Sequence, residues 1–221
     1  MTIDFSPIWQ FLPNFGRGVL VTLLFAVVTI VGGTILGFLL FLLRNSRFKV
    51  LSYIAKGYIA VIRGTPLLIQ LYLIAYGLPR IIPNLNLGVF ASGLIARSLN
   101  SAAYVAEIIR LGVQSVDAGQ FEAAKALGFS KRYTMWKIIF PQAIKHVIPS
   151  LGNEFVTIVK ESSIVSILGI YDITRVADLV KASTFKVFEA LVFAALLYFV
   201  ITSFLTYFIH LFERKINVYA K

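Results

Sequence analysis

The sequence has 221 residues, 58% of them hydrophobic and only 14% charged, with a mean hydropathy of +0.84. No soluble domain of that length could bury so much apolar surface, so composition excludes an ordinary globular enzyme and predicts an all-α integral membrane protein. The formal charge of +11 raises nucleic acid as a partner, but the basic residues gather at the ends of apolar runs and form no stripe. They orient the chain in a lipid bilayer instead, and no nucleic acid is expected.

Several chemistries are also excluded. With no cysteine there is no disulfide and no thiolate metal site, and His146 and His210 are too far apart and too poorly accompanied to make a metal site. No Gly-x-x-x-x-Gly-Lys-Ser/Thr phosphate loop occurs, so the chain is not expected to hydrolyse ATP itself or to need a cofactor. Met1 to Ser6 carries Asp4 and no basic residue, so no cleavable signal is expected.

Residues 1–16, broken by Pro7 and Pro13 and studded with Trp9, Phe11 and Phe15, read as an interfacial segment. The transmembrane domain follows over 17–213. Its first span, 18–43, carries no charge and is closed by Arg44, Arg47, Lys49 and Lys56. The second, 57–78, contains Arg63 and then Gly64-Thr65-Pro66, where Thr65 can cap and Pro66 can start a fresh helical segment. A break inside a bilayer is tolerated only where protein or water surrounds it. Pro79 to Leu87, with Pro83, Asn84 and Asn86, reads as an outside loop. The third span, 88–112, puts Arg97, Asn100, Ser101, Tyr104 and Glu107 on one helical face that must look away from lipid.

The longest polar interval comes next. A short helix at 119–128 is built from strong helix formers, with Gly128 where a left-handed cap belongs. Lys131, Arg132 and Lys137 mark the interval as cytoplasmic. The fourth span, 144–168, is entered through Pro141 and Pro149 and carries Asn153, Glu154, Lys160, Glu161, Ser162 and Ser163. Over 171–184, Asp172, Arg175, Asp178 and Lys181 oppose Ile173, Val176, Ala177 and Val180, which predicts an amphipathic helix on the outer surface. The fifth span, 190–212, is uncharged and ends at Arg214, Lys215 and Lys221. Most basic residues then fall inside, which sets the N-terminus outside and the C-terminus in the cytoplasm.

Three motifs carry a resemblance. Glu122-Ala123-Ala124, then Gly128 after three residues, Ile138 after nine more and Pro141, resemble the EAA loop of permease subunits of ATP-binding-cassette (ABC) importers, with Phe140 where the usual Leu stands. Arg63 to Leu71 (RGTPLLIQL), Ser101 to Glu107 (SAAYVAE) and Arg110-Leu111-Gly112 look like the branch that carries polar and basic amino acids, the histidine, arginine and glutamine permeases. The resemblance implies a type I ABC importer permease fold in a bacterial inner membrane. It implies a second permease copy, two ABC ATPase subunits that hold ATP and Mg, and an external solute-binding protein. It also implies that the short helix couples to the ATPase through Phe121, Glu122, Ala123, Ala124, Leu127 and Gly128. The alternative for that helix is an interfacial loop that docks nothing.

Spans one and five hold no charge, so spans two to four are expected to line the pathway, and three helices need a second copy to enclose it. An amino-acid substrate needs a cation for its carboxylate and an anion for its ammonium group, which Lys160 and Glu161 could supply, with Asn153, Ser162 and Ser163 as hydrogen-bond partners. Glu154 is then a spare carboxylate that favours a basic amino acid, and Arg97, Asn100 and Tyr104 complete the candidate site. Left open are another polar amino acid such as glutamine or glutamate, a purely structural pairing of these charges, and a self-sufficient channel or carrier.

Overall fold

The computed structural model describes residues 3–82, 85 and 87–218, so Pro83, Asn84, Asn86 and Lys221 lie outside the described residues. A 3-10 turn, Ser6–Phe11, runs directly into α1 (Leu12–Arg44). The expected interfacial lead is thus helical from Ser6, with Ile8 and Phe15 buried and Trp9 exposed. After Arg44 come α2 (Lys49–Gly64), α3 (Leu67–Tyr72), a π-turn (Leu73–Gly77) and α4 (Leu78–Ile81).

The second span is not one rod. The axis turns by 110° between Lys49–Gly64 and Leu67–Ile81. Thr65 and Pro66 are both extended, Thr65 because a proline disfavours the helical region for its predecessor and Pro66 because it stands at the cap of the next helix. Thr65 does not cap the new helix as its sequence position suggests: its hydroxyl donates back to the Val61 carbonyl at 2.8 Å, and Pro66 occupies the cap position.

α5 (Val89–Gln114) is the hub, packed on by α1, α2, α3 and α8. Small residues make that possible. A Cβ on Gly33 would stand 2.6 Å from Ser101 Oγ, and one on Gly37 would stand 2.8 Å from the Ala102 carbonyl, so only glycine lets α1 lie this close. The outward side of α1 remains apolar and exposed at Leu20, Leu24, Val31, Ile35 and Leu39.

The polar interval holds α6 (Ala118–Ala126). Then α7 (Lys131–Tyr133), a π-turn (Thr134–Ile139) and α8 (Phe140–Glu161, with Pro149 inside it) run on without a break, so the fourth segment begins earlier than its apolar stretch suggests. It ends as a 3-10 turn, Ser162–Leu168, stopped by Gly169 at φ 85°. α9 (Ile173–Thr184) and α10 (Val187–Val218) complete the chain.

The amphipathic pattern of α9 is real, but its apolar face is covered by protein. Ile173, Val176, Ala177 and Val180 pack with Ile8, Phe15, Ala190 and Ala194. Asp172, expected on the polar face, is instead 1% exposed and caps the helix by accepting the Arg175 backbone N–H at 2.8 Å. By length and apolarity, two helical segments among the described residues can cross a membrane, Ser6–Arg44 and Val187–Lys215, or three if the bent pair counts as one. α5 and α8 are long enough but carry Arg97, Glu107 and Arg110, and Lys145, Glu154, Lys160 and Glu161.

Candidate functional site

The polar residues of the bundle form a chain of contacts across α3, α5 and the end of α8. Arg97, 2% exposed, donates through Nη2 to Glu161 Oε2 at 2.7 Å and through Nη1 to Asn100 Oδ1 at 2.5 Å. Asn100 Nδ2 donates to Gln70 Oε1 at 2.9 Å. Gln70 Nε2 in turn donates to the Ile62 carbonyl at 2.8 Å and to the Thr65 hydroxyl at 2.8 Å, satisfying acceptors that the α2–α3 corner would leave bare. Beside this chain, Ser101 Oγ donates to Glu154 Oε1 at 3.1 Å. The Glu161 side chain is 49% exposed, so the far end of the network opens on the bundle surface while Arg97 stays enclosed.

Arg97, Asn100, Ser101, Glu154 and Glu161 are therefore brought together. The other expected members are not. Lys160 is one residue from Glu161, and a step of about 100° along a helix turns it to another side. There it borders an open depression with Val156, Thr202, Ser203, Thr206, Tyr207 and His210, between α8 and α10. Asn153 is exposed, with its carbonyl accepting the Thr157 hydroxyl. Ser162 is buried and bonds the Val159 carbonyl, and the Ser163 carbonyl accepts from Ser166. Tyr104 faces Arg63, whose guanidinium lies 5.4 Å from the ring centroid.

Glu107 does not pair with Arg97. It joins Arg44 at 2.7 Å and Arg110 at 2.5 Å, with Arg63 at 3.7 Å, and so ties α1, α2 and α5 at their shared end. Gln70 went unremarked in the sequence as a site residue. Its signal was a lone amide in an apolar run just after the helix break. Among the described residues no three His, Asp or Glu side chains converge to hold a metal ion.

A second feature lies on α6. Asp117 caps it by accepting the Gly119 N–H at 2.7 Å. At the other end Gly128 adopts φ 77°, and its N–H and that of Phe129 bond the carbonyls of Lys125 and Ala124, a closed left-handed stop. Phe121, Glu122, Ala123 and Leu127 are exposed, Leu127 by 74%. Ala124 is only 2% exposed, so the close approach its small size allows is already used within this chain.

Residues 30–218 match the family described as the binding-protein-dependent transport system inner membrane component. The chain belongs to that family. A putative glutamine transport system permease protein GlnP of Rickettsia conorii is 42% identical to the permease over 202 residues, 91% of this chain and 92% of that one. The arginine transport system permease protein ArtQ of Bacillus subtilis is 40% identical over 217 residues, 98% and 99% of the two chains. A crystal structure of an amino acid ABC transporter with histidines superposes with a TM-score of 0.93 at 43% identity, covering 97% of this chain and 100% of that one. The MetNI methionine transporter, 17% identical with a TM-score of 0.77, shares the fold. The permease is thus an inner-membrane component of a bacterial ABC amino-acid importer with an all-helical type I permease fold.

Proposed function

We propose that the permease forms half of a translocation pathway for basic amino acids. It crosses the membrane five times, through α1, the α2–α4 corner, α5, the segment from Lys131 to Leu168, and α10. Its N-terminus is outside, and α6 lies in the cytoplasm as the docking element for one ABC ATPase subunit. ATP and Mg belong to that partner, and an external binding protein delivers the solute.

The observation that carries the substrate class is the charge balance around α5. Arg97 is enclosed and its ion pair goes to Glu161, so Glu154 feels that guanidinium only at a distance and is hydrogen-bonded by the Ser101 hydroxyl alone. A cluster of two carboxylates and one guanidinium has room for one more cation, and a carboxylate in a membrane interior gains most from a charged donor. Glu161, half exposed, is the group a bound ammonium would reach first. The names of the relatives agree with a polar or basic substrate and include both arginine and glutamine.

The test is solute-stimulated ATP hydrolysis by the reconstituted transporter, with its binding protein, across an amino-acid panel. Arginine, lysine or histidine should stimulate most, and Glu154→Gln should lower that response about tenfold while affecting glutamine little, the effect of losing roughly 1.4 kcal/mol of charge-assisted bonding. A wild-type preference for glutamine or glutamate, or equal loss for all solutes, would remove the basic assignment.

A further inference from the structure

The π-turn at Thr134–Ile139 stands between α7 and α8. On a regular helix, residues five apart point roughly 140° away from each other at about 100° per residue. A π-turn closes its hydrogen bonds five residues back, so such residues come round to a shared face, and single π-turns often mark functional sites. Arg132 and Lys137 are five apart. Together with Ser130, Tyr133 and Trp136 they line an open depression of about 480 Å³.

Neither basic side chain has an ion-pair partner among the described residues. The aromatic wall is fixed from within the bundle: Trp136 packs at 5.1 Å from Phe140 and 6.1 Å from Phe38 of α1, and Tyr133 stacks at 4.8 Å on Phe129. Contact with Phe38, on a membrane-spanning helix, places the depression beside the bilayer. The exposed docking side chains Phe121 and Leu127 belong to a different element. The opposite side of the same turn is structural: Ile139, Met135 and Ile138 pack with Val116 and Ala143 at the root of α6.

We infer that this depression is a headgroup site for an anionic phospholipid of the cytoplasmic leaflet, its phosphate held between Arg132 and Lys137 and its glycerol region against Trp136. A guanidinium forks onto two phosphate oxygens and an ammonium adds a point charge, while Tyr and Trp set their polar tips at headgroup depth. Basic pockets among spanning helices on the cytoplasmic side are suited to such headgroups. Because the π-turn carries lipid on one face and the root of the coupling helix on the other, the lipid steadies the element through which ATP hydrolysis is transmitted. The inference rests on the cytoplasmic placement of α6 proposed above.

The experiment uses the complete transporter. Phosphatidylglycerol retained after mild detergent extraction is measured by native mass spectrometry, and solute-stimulated ATPase activity is measured in phosphatidylcholine vesicles with and without phosphatidylglycerol. Wild type should keep the lipid and respond to it. R132Q/K137Q should bind it roughly thirtyfold more weakly, at about 1 kcal/mol for each basic side chain beside an anionic lipid, and lose the response. The charge-preserving R132K/K137R should retain most of both. Equal lipid retention by wild type and R132Q/K137Q overturns the proposal. So does a double variant that sheds the ATPase subunit while its lipid is unchanged, since the surface would then serve a protein. Leu127→Glu is the separate arm: it should release the ATPase and leave the lipid bound. If it leaves the assembly and transport intact, the docking role of α6 fails whatever the lipid does.

Discussion

At Asp172 a single carboxylate holds one end of the bundle together. It caps α9 and accepts the Tyr198 hydroxyl at 3.1 Å, while the backbone carbonyl of Asp172 would stand 3.1 Å from a Cβ on Gly18 of α1. Burial pushes its pKa from 3.8 up to about 6, against the smaller opposing effect of the Arg175 backbone N–H. A raised acid means that the folded chain takes up a proton before the unfolded chain does. The cost of the buried charge is therefore present in full above about pH 6 and is relieved as pH falls toward 4, by an amount on the order of 3 kcal/mol. Thermal unfolding of the purified permease should accordingly shift upward between pH 7 and pH 5. Asp172→Asn, which keeps a capping oxygen without the charge, should flatten that slope, and a variant with the wild-type slope would locate the titration elsewhere.

The same residue shows where sequence reading stops. Its place opposite an apolar stripe said polar face, because periodicity reports a helix and not the chain that arrives to cover its first turn. Gly128 was legible for the opposite reason. A left-handed stop is a local backbone demand, and the sequence places glycine at that stop. Lys160 and Glu161 were expected to hold the two ends of one solute, yet neighbours on a helix point about 100° apart.

Among the elements, the α2–α3 corner depends on one amide. Gln70 bonds three acceptors of the corner, the Ile62 and Thr65 carbonyls and the Thr65 hydroxyl, while holding Asn100 of the hub helix. Gln70→Leu would fill the same space and leave these groups unpaired, at a cost of about 1–3 kcal/mol. The expected result is a lower unfolding temperature and faster proteolysis at residues 63–66, with insertion unaffected. Wild-type protease resistance would show that the corner is held by packing alone. Gly64-Thr65-Pro66 announced the break in sequence, and its angle could not be read there, since the angle is set by a partner on another helix. On α5 the three- and four-residue spacing correctly put Arg97, Asn100 and Ser101 together, whereas Tyr104 and Glu107, one and two turns further on, meet Arg63 and the Arg44–Arg110 cluster instead.

For the molecule as a whole, the distribution of polar groups asks for a partner. α1 and α10 turn apolar surfaces outward, whereas Glu161, Tyr104 and Lys160, on or beside the polar segments α5 and α8, remain accessible. Ionisable groups at membrane depth face protein or water, so a second permease unit should close over them about a two-fold axis. Native mass spectrometry of the intact transporter should find two copies of this chain, or this chain with one relative. A single copy without such a companion would rule the arrangement out.

The contact between Arg97 and Glu161 spans 64 positions of the chain. A ribosome working from the N-terminus releases the guanidinium long before its carboxylate exists, and a bare cation is costly in the hydrocarbon. α5 is therefore poorly suited to partition alone, and on the five-span arrangement proposed above the hub of the bundle is expected to settle only once α8 has been made.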